Sequence, residues 1–438
     1  MTNQLRRRRF LKTVALGGIV AAVEGSAKCA SPNSKVNIAC VGVGGKGWSD
    51  MLETSVGHNI VAVCDIDLQR LGKAAERFPK AETYTDWRQL LEQKNIDAVT
   101  ISTPDHMHAP VTMSAIAFGK HVYTQKPLTH SVYESRRLAE AASHHGVVTQ
   151  MGIQHHATRR LKTAVHALQA GVIGKVQAVH TWTDRPGTFW KQGLARPAKS
   201  DPVPSHVDWD RWLGVAPERP YVTGVYHPFA WRGWWDFGTG VAGDMGCHIL
   251  DPVVGGLDLG PPQTIWAEGP TPLSESGPTW CVVHYEFAGT KYTVDKLRVT
   301  WNEAGRQPPR DIFKAPSDWK GSDNGVLFVG ERGNLFVGFP EMPELFPKGE
   351  FSNYSFPDLP DHNHYQQWTN AIATGGKTSC PFSYSGPLTE TVLLGNVAYR
   401  SGQKIEWDSK KLAVTNATRA NRFIRRNYRE AWQIPGLS

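Results

Sequence analysis

The chain has 438 residues, 40% of them hydrophobic and 20% charged, which excludes a disordered polar chain and leaves room for two or more domains with a sizeable core. The formal net charge is +8, but residues 1–27 hold five basic residues (Arg6, Arg7, Arg8, Arg9, Lys12) against Glu24, so four of those charges sit in the leader. No basic stripe interleaved with aromatics occurs, which argues against nucleic acid as a partner.

The six cysteines (Cys29, Cys40, Cys64, Cys247, Cys281, Cys380) form no C-x-x-C pair, so neither a zinc site nor a disulfide framework is expected. At the N-terminus, Arg7-Arg8-Arg9-Phe10-Leu11-Lys12 precedes a modestly apolar run and Gly25-Ser26-Ala27. The run is too short for a resident membrane helix. It resembles a Tat signal, with Arg6 where Ser or Thr is usual. Residues 1–34 are therefore expected to be signal peptide and linker. The mature chain is expected to be periplasmic or extracytoplasmic, without a membrane anchor.

Residues 35–150 read as a Rossmann domain. A strand, Val36-Asn37-Ile38-Ala39-Cys40-Val41, runs into Gly42-Val43-Gly44-Gly45-Lys46-Gly47. A helix is predicted over 48–56 and a strand over 60–64, ending in Asp65, 23 residues after Gly42. Gly42 suits a tight turn, Gly44 a close approach of backbone N–H groups to a pyrophosphate, and Gly47 close packing of helix on strand. Asp65 would accept hydrogen bonds from the adenosine ribose and repel a 2′-phosphate, favouring NAD over NADP. Helices over 68–78, 86–93, 110–118 and 131–145 alternate with strands over 97–102 and 121–124, as in a doubly wound parallel sheet. Ligands bind beyond the carboxyl ends of such strands, so Gly42, Asp65, Thr103 and Lys126 should share one crevice.

Three segments carry a resemblance: Thr103-Pro104-Asp105-His106-Met107-His108, Gly119-Lys120-His121-Val122-Tyr123 and Gln125-Lys126-Pro127-Leu128. They are similar to the Gfo/Idh/MocA oxidoreductases. That family joins a Rossmann domain to one built on a large open sheet. The resemblance implies that Lys126 lies beside the nicotinamide and the reacting hydroxyl. Gln125 stands where the family has glutamate, which removes a negative charge next to Lys126. It also places His106 and His108 in a loop along the cofactor. No carboxylate cluster completes a metal ligand set around them. The residues expected to contact the cofactor are Gly42, Gly44, Gly45, Gly47, Asp65, Thr103, Pro104, His108, Gln125 and Lys126.

Residues 151–438 read as an α+β domain with a large, mostly antiparallel open sheet. Strands are predicted over 176–183, 264–268, 280–287, 296–301, 325–330 and 334–339, and helices over 158–170, 364–374 and 387–400. Seven of the sixteen tryptophans fall between Trp182 and Trp235, in a stretch without clean periodicity that reads as loops over the sheet edge. In Gly243-Asp244-Met245-Gly246-Cys247-His248-Ile249-Leu250-Asp251, helical offsets of 0, 4 and 7 line up Asp244, His248 and Asp251. A histidine one turn from a carboxylate is an oriented proton carrier. By resemblance, Asp244 and His248 face the lysine across the crevice.

The expected chemistry is hydride transfer from a secondary hydroxyl of a sugar or polyol to NAD. His248 would take the hydroxyl proton, Lys126 would stabilise the oxygen, and Asp244 would orient His248. Substrate contacts are expected from His155, Trp182, Arg185, Trp235 and Asp251, with Trp190, Trp231 and Trp234 as further apolar faces. An exported NAD enzyme should hold its cofactor tightly, which also admits a redox-neutral glycosidase working through transient oxidation and elimination. A non-catalytic NAD-binding sensor is the third reading. A homo-oligomer, dimer or tetramer, is expected through the C-terminal sheet.

Overall fold

In the computed structural model, which describes residues 35–438, strand β1 (Asn37–Val41) is the centre of the first sheet. Around it lie β2 (Asn59–Cys64), β3 (Glu82–Tyr84), β4 (Ala98–Ile101), β5 (His121–Gln125) and β6 (Thr149–Gly152). All six are parallel, in the order β3-β2-β1-β4-β5-β6. Helices cover both faces, which is why consecutive residues Ile38 to Val41 and Ala98 to Ile101 are all buried rather than alternating. The strand order reverses between β1 and β4, and this opens a crevice at their carboxyl ends. The leader expectations fall on residues outside the described range.

Local caps set the helix limits. The Asp67 side chain accepts from the backbone N–H of Gln69 and Arg70 at the start of helix Leu68–Arg77. Ser131 and Glu134 form a capping box on helix Val132–His145, and Gly146 closes it in the left-handed conformation. Two helices start five residues earlier than expected, Asp105–Ala117 and Phe382–Ser401, and each carries a proline inside it. Proline disfavours a helix interior, so tertiary anchoring decides here. Asp105 accepts from Thr239, and His106 bonds the carbonyls of Phe237 and Trp212.

The second sheet has nine strands in the order β13-β12-β11-β7-β10-β9-β8-β14-β15. They are β7 (Val176–Trp182), β8 (Thr264–Glu268), β9 (Val282–Ala288), β10 (Thr293–Asn302), β11 (Gly325–Gly330), β12 (Asn334–Gly338), β13 (Glu344–Phe346), β14 (Ile405–Asp408) and β15 (Ala413–Val414). Every pairing is antiparallel except β7 with β10. The short strands β13, β14 and β15 carry too few alternating residues to stand out in the sequence.

The expected boundary at 150/151 falls inside a strand, and two C-terminal helices pack against the first domain. β6 straddles position 150 as the sixth strand of the first sheet. Helix His364–Thr374 buries Tyr365, Trp368 and Ile372 against Ile38, Val63 and Tyr123 of that sheet. Helix Phe382–Ser401 is tied to Val132–His145 by a two-pronged Arg136–Glu390 pair, with both N···O distances 2.8 Å. Between β7 and β8, the tryptophan-rich segment builds its own apolar cluster from Trp212, Leu213, Tyr226, Trp231, Trp234 and Phe237. Among the described residues, no helix is long and apolar enough to cross a membrane.

Candidate active site

The glycine loop is shaped by contacts that only glycine permits. Gly42 has φ +79°, and a Cβ there would lie 2.7 Å from the Ser102 carbonyl oxygen. A Cβ on Gly47 would lie 1.8 Å from the Gly42 carbonyl oxygen, so the helix can sit tightly on the strand end. Helix Lys46–Thr54 has no side-chain cap at Gly45, and its first N–H groups carry positive dipole toward the cavity. Asp65 at the end of β2 accepts from Val43 N at 2.9 Å and Asp67 N at 3.0 Å. Burial pushes the Asp65 carboxyl upward, opposed by those bonds and by Arg70.

A cavity of about 600 Å³ opens from this loop and runs to the second domain. Gly42, Gly44, Gly45, Asp65, Thr103, Pro104, His108, Gln125 and Lys126 line it, while Gly47 lies beneath the loop. His108 spans the crevice, with one ring nitrogen 2.7 Å from the Pro127 carbonyl oxygen and the other 2.8 Å from that of Thr103. It thus ties the β4 loop to the β5 end.

Gln125 has a partner that explains its identity. Its Nε2 donates to Asp50 Oδ2 at 2.7 Å, and Asp50 is fully buried. The same carboxylate accepts from Ser102 Oγ (2.7 Å), Tyr365 Oη (2.9 Å) and Lys46 Nζ (2.7 Å). A glutamate at 125 would set two carboxylates against each other. The negative charge absent from position 125 is present one layer back, on Asp50. Gly152 makes room, since a Cβ there would lie 2.6 Å from Gln125 Nε2.

Lys126 reaches across to the second domain. Its Nζ donates to Asp244 Oδ1 at 2.9 Å and also to the Asp244 carbonyl. Asp244 pairs through its other oxygen with Arg185, and Arg232 Nε lies 3.4 Å from Oδ1. Burial opposes the charge of Asp244, yet Lys126, Arg232 and Arg185 together hold its carboxyl below the ordinary range. Asp244 lies on a π-helical turn, Ala242–Gly246, that leads into a short α-helical turn, Cys247–Ile249. A Cβ on Gly243 would lie 1.7 Å from Thr239 Oγ1 and 3.2 Å from Pro127, so this glycine lets the two domains meet beside Lys126.

His248 also lines the cavity, edge-on to His155 with ring centres 5.3 Å apart. Burial, then Lys126 and His155, push the His248 imidazole well below its ordinary value. Burial and Arg160 bring His155 down to about 4. Both rings are therefore neutral near pH 7. His248 Nδ1 is buried with no hydrogen-bond partner among the described residues, which leaves Nε2 as the nitrogen able to meet a ligand.

Residues 36–153 match the oxidoreductase family with an NAD-binding Rossmann fold, Gfo/Idh/MocA, and residues 158–297 match its C-terminal α/β domain. This chain belongs to the Gfo/Idh/MocA family. Relatives include levoglucosan dehydrogenase of Pseudarthrobacter phenanthrenivorans, 23% identical over 43% of this chain and 40% of that protein. Inositol 2-dehydrogenase 4 of Saccharopolyspora erythraea is 29% identical over 45% of this chain and 58% of that one. The chain thus matches these relatives over about half of their length. Among solved structures, the WlbA dehydrogenase from Bordetella pertussis, in complex with NADH and UDP-GlcNAcA, superposes with a TM-score of 0.61 at 17% identity. That likeness covers 86% of this chain and 99% of the other. A levoglucosan dehydrogenase complex with NADH and levoglucosan gives a TM-score of 0.56 at 17% identity, over 85% and 99% of the chains. These structural likenesses speak to the fold.

Within this Gfo/Idh/MocA site, several expected contacts are corrected. Asp244 makes no hydrogen bond to His248; the π turn offsets them, and three cations occupy its carboxylate. Trp182 is fully buried, stacked on Phe336, with its Nε1 on the Ser322 carbonyl. Trp235 is buried with its Nε1 on the Leu273 carbonyl. Asp251, 1% exposed, is bound by His156 and Tyr384 and does not line the cavity. His155 and Arg185 do line the cavity, and of the further tryptophans proposed only Trp231 does. Arg232, Phe229, Phe339 and Gln154 line it too and were not expected. Gln154 lies beside the singled-out His155, and Arg232 in the cluster Trp231-Arg232-Gly233-Trp234. Those were the available signals. Phe339, at the end of β12, offered none. The five described cysteines are free and buried, and the described residues hold no group of three metal-ligating side chains.

Proposed function

We propose that this protein is an NAD-dependent oxidoreductase acting on a secondary hydroxyl of a sugar or sugar-like polyol. The observation that carries it is the meeting of an uncapped, glycine-lined helix start with Lys126 and His248 in one cavity. The residues present fit a dinucleotide. Gly42, Gly44 and Gly45 expose backbone to the cavity and would hold the pyrophosphate, and Asp65 would hold the adenosine ribose. When bound, NAD supplies a hydride acceptor at its nicotinamide. Relatives named as dehydrogenases of levoglucosan and inositol support a polyol-like substrate.

Lys126 donates a hydrogen bond to the substrate oxygen and stabilises the negative charge that develops there. Asp244 holds Lys126 in place. His248, neutral and open at Nε2, accepts the hydroxyl proton. His155 packs against it and fixes the ring plane.

The experiment is to purify the full chain, detect bound nicotinamide by absorbance and mass spectrometry, and add sugars and aryl glycosides. Reduced nicotinamide supports the dehydrogenase. Aglycone release without net reduction would assign the redox-neutral elimination instead. Failure of every sugar, with Lys126→Ala and His248→Ala changing no activity, would leave the sensor reading.

We also propose that residues 1–27 direct export by the Tat pathway; a cytoplasmic location unaffected by R7K/R8K would refute it. A homo-oligomer through the nine-stranded sheet completes the proposal. Its support is the outward group of Trp266, His284 and Arg298 on β8, β9 and β10. Light scattering that returns a monomer mass would refute it.

A further inference from the structure

Resting on the oxidoreductase reading, we propose that the substrate is an anionic sugar, a ring bearing a carboxylate, and that Arg185 and Arg232 bind that carboxylate. Three cations meet at the second-domain end of the cavity: Lys126, Arg185 and Arg232. Two carboxylates face them. Asp244 shares its two oxygens among all three cations, and buried Asp105 accepts from Thr239 N at 3.0 Å and Thr239 Oγ1 at 2.6 Å. The two nearby histidines, His155 and His248, are neutral and add no charge. Among these groups, three cations face two carboxylates, and one positive charge is left over.

Beyond their shared acid, Asp244, both guanidinium groups lie against aromatic rings. Arg232 lies against Trp231 (4.3 Å) and Phe229 (4.5 Å), and Arg185 against Phe189 (4.2 Å). Stacking fixes a guanidinium plane and leaves its N–H edge available. Arg185 spends one Nη on Asp244. Arg232 turns Nη1 to the Phe229 carbonyl at 3.4 Å and Nε toward Asp244. The Nη2 groups of both have no acceptor among the described residues. Unused donors on two adjacent guanidinium groups match the two oxygens of a carboxylate. A neutral polyol occupying this end would displace water from both and return no charge.

The test titrates the NAD-equilibrated full-length protein with matched pairs, D-glucose against D-glucuronate and D-galactose against D-galacturonate, by calorimetry at low salt. The expected result is at least one uronate bound about ten-fold or more tighter than its hexose, the scale of one charge-assisted hydrogen bond. That preference should fall to about two-fold or less in R185Q/R232Q and persist in part in R185K/R232K. Arg185 braces Asp244, so the single variant R232Q provides a second reading should the double variant unfold; it should lose about half of the preference on a logarithmic scale. Equal or weaker uronate binding, no uronate binding, or a preference intact in R232Q and R185Q/R232Q overturns the proposal. Nicotinamide reduction is followed in the same samples. Uronate binding without reduction by any sugar would overturn the oxidoreductase reading and leave the anion site standing.

Discussion

Two regions line the same cavity. On one side are the carboxyl ends of β1, β2, β4 and β5, where Gly42, Asp65, Thr103 and Lys126 each follow a buried parallel strand. On the other is residues 183–241, which contribute Arg185, Phe229, Trp231 and Arg232 and contain no ladder strand. The first group is held by main-chain ladders, the second by ion pairs, ring stacking and one apolar cluster. Sheet-borne residues are therefore expected to keep their places when a neighbouring charge is changed, and those of the second group to shift. Asp244 is where the two sides are joined.

The largest effects are expected where both sides act on one substrate atom. Lys126→Ala and His248→Ala should each lower kcat by about 10²–10⁴ on whichever sugar reduces the bound nicotinamide, with little change in melting temperature. A kcat within about three-fold of the parent would remove these residues from the chemistry.

Asp244→Asn tests the joint itself. It leaves three cations without their shared carboxylate, and the expected loss is about 3–5 kcal/mol of stability in denaturant titration. If the stability is unchanged, the cations reorganise into solvent and the second side is not held as described.

Gln125→Glu probes the sheet side. Opposing the buried Asp50, the new carboxylate should cost about 1–3 kcal/mol. One carboxyl of the pair would titrate above its ordinary range in the folded state. The deficit should then be smallest in acid and grow as pH rises past that range. D50N/Q125E, which exchanges donor and acceptor, should recover much of the loss. A double variant no better than Q125E would show that Asp50 serves Lys46 and Tyr365 rather than Gln125.

The smallest effect concerns His155. Its folded value is about 4 against an ordinary 6.5. Its contribution is therefore full above 6.5 and is lost as pH falls toward 4, because the unfolded chain takes up the proton first. His155→Gln should reduce the fall in melting temperature across that interval by about 2 °C. An identical acid profile in the variant would show that other groups carry the acid sensitivity.

The parallel sheet was readable because its signals are local. Continuous apolar runs, glycines at forced turns and an acid at the end of β2 all lie within short windows. The departures came where distant contacts overrule local preference. Pro110 and Pro387 suggested helix starts and lie inside helices, the first held open to helix by the anchors of Asp105 and His106 on residues far along the chain. A regular α-helical offset placed Asp244 beside His248; the π turn and the three cations turned it to Lys126 instead. Trp182, Trp235 and Asp251 have the chemistry of a sugar site, but burial decides whether such side chains meet a ligand or the core.

By itself, then, the sequence determined the doubly wound sheet and the glycine turn, because each rests on spacing within one element, and its family resemblance named Lys126, Asp244 and His248 as candidates. Tertiary structure alone decided which partner Asp244 takes, that Asp50 carries the charge missing at Gln125, and that Arg232 joins Arg185 at the cavity. Those pairings span 75 residues from Asp50 to Gln125 and 118 from Lys126 to Asp244. At such separations, the register of the packed elements, rather than any local pattern, sets which charges meet.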